Sequence, residues 1–235
     1  MVLARNVDGR ELTFGASGKL IMNAVVLYDH QTDSLWSQFL AQAVDGPLAG
    51  TTLELLPAAL TTWESWYAEH PDTLLLDRRG DFFAGGGDRY AGYFRDGSAG
   101  ILGETNKDRR LPTKEKVVGL DTGATPRAYA FRDLAKQPVV NDTYDGEPIV
   151  VTFDPIAESA AVFHRDVDGQ GLTFSSEDVG KMRADQTGSI WSLVSGEAIE
   201  GPLAGKQLEQ AKSFVAFWFA WSDFYPGTDL FRASD

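Results

Sequence analysis

Apolar and polar positions alternate over short runs, and turn residues separate the runs. This pattern predicts a chain built mainly of short strands. Arg5 to Phe14 reads as two strands joined at Asp8-Gly9, and Asp-Gly is a strong hairpin signal. Asn23–Tyr28 is a further β-rich run, Asp29–Ser34 a polar turn, and Leu35–Phe39 alternates as a strand does. Gly46-Pro47-Leu48-Ala49-Gly50 is a tight loop, and Thr51–Leu56 follows as a strand. Thr61 or Thr62 is placed to cap a short helix running through Tyr67, with Glu64 complementing its N-terminus. Spacings of three and four put Trp63, Trp66 and Tyr67 on one face of that helix. His70-Pro71-Asp72-Thr73 ends it, and Thr73–Leu76 begins another strand. Farther on, Val117–Leu120 and Ala128–Phe131 read as paired strands, and Arg132–Ala135 as a turn of helix. Val139–Thr143 and Pro148–Phe153 form a hairpin around Asp145-Gly146.

The same pattern occurs twice. Val7-Asp8-Gly9-Arg10-Glu11-Leu12-Thr13-Phe14 returns as Val167-Asp168-Gly169-Gln170-Gly171-Leu172-Thr173-Phe174. Gln31–Ser37 returns as Gln186–Ser192, and Gly46–Gly50 returns letter for letter as Gly201–Gly205. Leu53-Glu54 matches Leu208-Glu209, and Trp63 and Trp66 match Trp218 and Trp221. The offset drops from 160 to 155, so the second copy has lost five residues after Phe174. The fold expected is mainly β with a few short helices (an α+β chain). It consists of two degenerate repeats of a small sheet or barrel-like unit, each closed by one aromatic helix. The first copy is read as 1–78, a Gly- and aromatic-rich connecting loop as 79–113, and the second, fuller copy as 114–235, all in one compact unit. The loop is too aromatic for a solvated linker and is expected to pack on the protein or line a cleft.

Composition narrows the function classes. The 235 residues carry a formal net charge of −13, which disfavours nucleic acid and anionic membranes as partners. No apolar run is long enough to span a bilayer. Residues 1–10 show no signal-peptide core, which as the sequence stands suits the cytoplasm. There is no cysteine and there are only three histidines, so thiolate chemistry and multi-His metal centres are not expected, and nothing points to a nucleotide or haem cofactor.

The Val139-Val140-Asn141-Asp142-Thr143 run, the Asp-Gly hairpins, the Leu-Thr-Phe strands, the Ser-Leu-Trp-Ser run and the Gly-Pro-Leu-Ala-Gly loop together resemble an uncharacterised prokaryotic family, domain of unknown function 3179. The resemblance implies no activity. Two departures from the family pattern stand out. Phe153-Asp154-Pro155-Ile156-Ala157 occupies the place of a Cys-Pro-x-Cys stretch, and Ala135–Pro138 lacks a histidine. Residues 114–160 also have no counterpart ahead of the first copy, since Met1 aligns with Ala161, and the chain reads as an N-terminally shortened member. Strand edges left unpaired by that absence would be open, paired by the connecting loop, or covered in a homodimer.

Candidate chemistry rests on oxygen ligands. Asn141, Asp142, Asp166 and Asp168 sit in acidic hairpins and supply the hard donors that Ca²⁺ takes. The plainer reading of each is turn chemistry. Asp81, Asp88 and Asp96 form a second acidic group in the connecting loop. His164, near the acidic hairpin, is the candidate general base, with Asp154 as the other candidate catalytic residue. The matched tryptophans are read as core. Two functions follow as expectations. One is a hydrolase of small esters or lactones assisted by Ca²⁺, with an Asp or His164 as base. The other is a non-catalytic module that binds a small-molecule ligand or a protein. A ligand would sit in the cleft between the two copies.

Overall fold

The computed structural model describes residues 1–75, 91–121 and 125–233. β1 (Val2–Leu3) is a short stub, and β2 (Asn6–Val7) and β3 (Arg10–Glu11) form the first Asp-Gly hairpin. β4 (Phe14–Ile21), β5 (Ala24–Asp29), β6 (Leu35–Ser37) and β7 (Gln42–Asp45) make an antiparallel meander. β8 (Leu55–Leu56) returns to pair with β1. α1 (Trp63–Glu69) is capped as the sequence predicts, with Thr62 Oγ1 accepting the Ser65 N–H. α2 (Ala91–Arg95) is the regular element of the connecting segment among the described residues.

The second copy has more layers. β9 (Lys116–Leu120) and β10 (Arg127–Ala130) are antiparallel, α3 (Phe131–Leu134) follows, and β11 (Val139–Tyr144), β12 (Glu147–Asp154) and β13 (Ser159–His164) form a three-stranded meander. The hairpin β14 (Asp166–Val167) and β15 (Gln170–Gly171) leads into a second four-stranded meander of β16 (Phe174–Ser176), β17 (Lys181–Ala184), β18 (Ile190–Ser192) and β19 (Ala198–Glu200). β20 (Ser213–Phe217), α4 (Trp218–Phe224) and β21 (Asp229–Phe231) complete the chain. β20 pairs with β9 and β21 runs parallel to β10, so the sheet order is β20-β9-β10-β21.

Strand alternation stacks these layers, because successive side chains leave a strand on opposite faces. From β9 and β10, Val117, Ala128 and Ala130 point to Trp218 and Trp221 of α4, while Val118, Leu120 and Tyr129 point to Val140, Ile149, Val151 and Val162 of the next sheet. From the far face of that sheet, Val139, Val150, Ala161 and Phe163 meet Phe174, Met182 and Trp191 of the second meander. The first copy has a smaller core of Val7, Leu12, Trp36, Ala43 and Leu53. It is anchored to the second by Phe39, which stacks on Phe224 at 4.2 Å and meets Phe214 edge-on at 5.1 Å.

The repeat holds at the level of single hydrogen bonds. Asn6 Oδ1 accepts the Gly9 N–H and Asp166 Oδ1 the Gly169 N–H. Gln31 Oε1 and Gln186 Oε1 accept the N–H of Thr13 and Thr173, each at 2.9 Å. Ser34 Oγ and Ser189 Oγ accept the N–H of Leu48 and Leu203, each at 3.0 Å. Trp66 and Trp221 donate to Thr73 and Thr228 at 2.9 and 3.0 Å. The five residues absent from the second copy come out of the first hairpin of the meander, where β4 has eight residues and β16 three. The three Asp-Gly hairpin turns, at 8–9, 145–146 and 168–169, are left-handed at both residues, from Asp8 (φ 49°) and Gly9 (φ 76°) to Asp168 (φ 54°) and Gly169 (φ 81°), as a tight hairpin requires.

Several expectations are corrected. The strand expected over Leu35–Phe39 stops at Ser37, and Thr51–Leu56 pairs regularly only at β8. Thr73–Leu75 is not a strand, and Leu76 lies outside the described residues. Four of the six tryptophans are core, but Trp63 is exposed and Trp66 half-buried.

Candidate functional site

The two copies meet along β8 and the segment after it. Glu54, Leu55 and Pro57 of the first copy face Leu120, Tyr144, Asp145, Glu147, Ile149, His164 and residues 209–212 of the second across a cavity of about 360 Å³. Gln210 Nε2 donates to the Ala58 carbonyl at 3.1 Å and ties the two walls together. A second cavity of about 430 Å³ shares Glu54, Leu55 and Lys212 with the first and extends to Phe39, Asp121 and Tyr225. Burial together with the Asp121 carboxylate pushes the Tyr225 phenol upward, so it stays protonated. Glu54 and Glu209 are repeat counterparts, and both line the same space.

His164, the last residue of β13, is half-buried and opens onto this cavity. Its backbone N–H donates to the Glu209 carbonyl at 2.8 Å, and the equivalent bond in the first copy is Ala4 N–H to Glu54 at 2.9 Å. The histidine therefore belongs to one copy only. Asp154 is not beside it. β12 pairs Ile149 with His164 and Asp154 with Ser159, so the carboxylate lies five strand positions away, about 17 Å along the hairpin. There Asp154 Oδ1 accepts the N–H groups of Ile156 and Ala157 at 2.8 and 3.1 Å and closes a turn.

The four residues expected to hold Ca²⁺ are not brought together. The Asn141 amide pairs with the backbone of Phe174, donating at 2.7 Å and accepting at 2.9 Å, and so stitches β11 to β16. Asp142 accepts from Tyr129 Oη at 2.7 Å, Arg127 Nη1 at 3.1 Å and the Thr143 N–H at 2.7 Å. Burial and that carboxylate hold the Tyr129 phenol well above its ordinary pKa. Asp166 closes its own turn, and the exposed Asp168 pairs with Lys206 at 2.8 Å. Among the described residues no three of His, Asp and Glu form a group able to hold a metal ion. The hairpins are adjacent in sequence, but their donors leave on different faces and are already engaged, so these residues do not fit a Ca²⁺ ion. Of the second acidic group, Asp81 and Asp88 lie outside the described residues. Asp96 is held by Ser98 and Lys114, whose hydrogen bonds lower its pKa to about 2.

Glu147, Glu209, Lys212 and Tyr144 were not singled out from the sequence as site residues. The one available signal was the repeated Leu-Glu pair at 53–54 and 208–209.

The fold defines a duplicated, mainly β protein with two polar-rimmed spaces at the junction of the copies. Residues 1–228 match the family model described as Protein of unknown function (DUF3179), and the chain belongs to that family. No curated protein and no solved structure matches it. No helix among the described residues is long and apolar enough to cross a membrane.

Proposed function

We propose that this protein is a non-catalytic ligand-binding module whose site is the cavity between the two copies. The observation that carries the reading is the lining of that cavity. Leu55, Pro57, Leu120, Ile149 and Ala211 form an apolar floor, and Glu54, Asp145, Glu147 and Glu209 surround it with only Lys212 and His164 as counter-groups. The volume suits a small molecule. An excess of carboxylates around an apolar floor favours an ammonium or guanidinium group on an apolar body, since the carboxylates attract the cation and the floor takes the rest.

A thermal-shift titration with hexylammonium and benzylguanidinium, set against hexanoate, tests this. A ligand held only by the folded state raises the melting temperature by mass action. The cations are expected to raise it, hexanoate is not, and Glu147→Lys with Glu209→Gln abolishes the rise. An equal rise with hexanoate, or none with any compound, refutes the reading.

The ester or lactone hydrolase is the second reading, and the opening of His164 onto the cavity favours it. Its Ca²⁺ arm finds no group of three His, Asp or Glu among the described residues. Its check is a panel of small esters and lactones, with Ca²⁺ or EDTA, on the parent chain and on His164→Ala. Turnover that disappears in His164→Ala would put this reading first.

A further inference from the structure

In the second copy, α4 lies beneath the sheet β20-β9-β10-β21. The outer strands β20 and β21 flank the helix in sequence, and the central hairpin β9–β10 comes from elsewhere in the chain. The first copy has counterparts of both outer strands and of the helix. At the repeat offset, 58–62 correspond to β20, Trp63–Glu69 to α4, and Leu74-Leu75 to the start of β21. No part of residues 1–113 repeats the central hairpin, and neither outer segment is a strand.

The helix and its exit are nevertheless built as in the second copy. Trp66 keeps the bond to Thr73 that Trp221 makes to Thr228, and His70 packs on Trp66 as Tyr225 packs on Trp221, with ring centroids 4.1 and 4.5 Å apart. The C-cap residues His70 (φ −128°, ψ 68°) and Tyr225 (φ −122°, ψ 67°) have the same backbone. The cover differs: among the described residues Ala58–Leu60 face Ser213–Val215 of β20 across a cavity and pair with no strand. Trp218 is fully buried, whereas its counterpart Trp63 is 46% exposed, beside Leu60 at 58% and Tyr67 at 47%, with Leu74 at 93%. Clustered exposed apolar groups mark interaction surfaces, and unpaired strand segments are templates for an added strand.

We infer that this face of the first copy is a docking site for a β-hairpin of the kind that Lys116–Ala130 provides to the second copy. Three features define the occupant. It adds main-chain pairing to 58–62 and Leu74-Leu75, the β-augmentation mode of recognition. It carries glycine where it crosses Trp66, because a Cβ on Gly119 would lie 2.2 Å from the Trp221 ring. It is basic at its strand ends, as Lys116 and Arg127 are, because residues 58–75 hold Glu64, Glu69 and Asp72 and no Lys or Arg. A second copy of this chain is disfavoured, since its own hairpin is buried: lending Val117, Ala128 and Ala130 would strip α4. The site adjoins the cavity between the copies at Ala58, and its occupant does not depend on the cavity's ligand.

The test adds a synthetic peptide of residues 114–131, which contains no tryptophan, to the full chain. Fluorescence reports Trp63, the most exposed of the six indoles. The expected result is a blue shift and a loss of acrylamide quenching on titration. Neither effect appears with a Gly119→Leu peptide or with a Leu74→Lys, Leu75→Lys chain, whose changes lie at exposed positions. Joining the same peptide ahead of Met1 through a flexible linker raises its effective concentration to about millimolar and covers weak affinity. Loss of quenching in that fusion, reversed by Gly119→Leu in the appended copy, supports the site. Quenching unchanged in both formats overturns it, as does binding indifferent to Gly119→Leu. Sedimentation of the free chain as a dimer with Trp63 already protected also overturns it, because a second copy would then be the occupant.

Discussion

Asp29 and Ala184 occupy the same place in the two meanders and show how much one side chain decides. Asp29 is fully buried and accepts the Trp36 indole N–H at 2.9 Å, the Thr32 N–H at 2.6 Å and the Thr32 hydroxyl at 2.9 Å. Burial on its own would raise the Asp29 pKa, but these donors outweigh it and hold the carboxyl below its ordinary value. In the second copy Ala184 offers no acceptor, and the buried Trp191 indole N–H has no partner among the described residues. Asp29→Ala is therefore expected to destabilise the protein by roughly 1–3 kcal/mol, the cost of stranding buried donors. Ala184→Asp is expected to stabilise it by on the order of 1 kcal/mol near neutral pH by giving Trp191 its acceptor. Because the Asp29 pKa is lowered in the folded state, its contribution is full above the unfolded value of about 4 and fades as pH falls through the folded pKa. Urea denaturation across the acid range checks both variants. The acid-side loss of stability should be weaker in Asp29→Ala and steeper in Ala184→Asp. The sequence shows the Asp-to-Ala difference plainly, but only the fold shows that an indole depends on it.

At the scale of elements, the repeated Gly-Pro-Leu-Ala-Gly loop has two glycines with different duties. Gly46 and Gly201 are left-handed (φ 89° and 92°), and a Cβ there would lie 2.7 and 2.8 Å from the Cα of Ser34 and Ser189. Gly50 and Gly205 are also left-handed, but a Cβ on either would meet nothing. Gly50→Ala should cost about 1–2 kcal/mol, the left-handed penalty alone. Gly46→Ala should cost clearly more, since the backbone of Ser34 must also move. Denaturation midpoints of the two variants decide this. The hairpins and the Thr62 cap were legible in the sequence because their signals are local: Asp-Gly sets its own turn, and Thr62 reaches only to Ser65. Strand formation was not legible in the same way. Ser213–Phe217 is a strand because β9 pairs with it, and the corresponding residues 58–62 have no pairing strand among the described residues and are not. The residues expected to hold a metal ion are kept apart for a related reason. Asn141 and Asp142 are adjacent residues of one strand, so they face opposite sides and find different partners.

At the scale of the molecule, the duplication is asymmetric in what it buries. Trp218→Ala removes a fully buried indole and is expected to cost about 3–5 kcal/mol. Trp63→Ala, at the matched position, is expected to cost far less, about 1 kcal/mol or below, because the residue is 46% exposed. Parallel urea titrations measure the contrast, and a similar loss in both variants would mean that Trp63 is covered in solution. The copies also differ at the cavity between them: His164 lines it, and the repeat counterpart of His164 in the first copy is Ala4, which carries no imidazole.

The sequence by itself determined the duplication, its register, the five-residue deletion and the local turns and caps, because each depends on residues close together along the chain. Only the tertiary structure decided which matched residues are buried, which carboxylates are already engaged, and where the two copies leave space. Those outcomes depend on partners brought from far along the chain. Two identical letters, Trp63 and Trp218, end in solvent and in the core because β9 and β10 cover one of them and not the other.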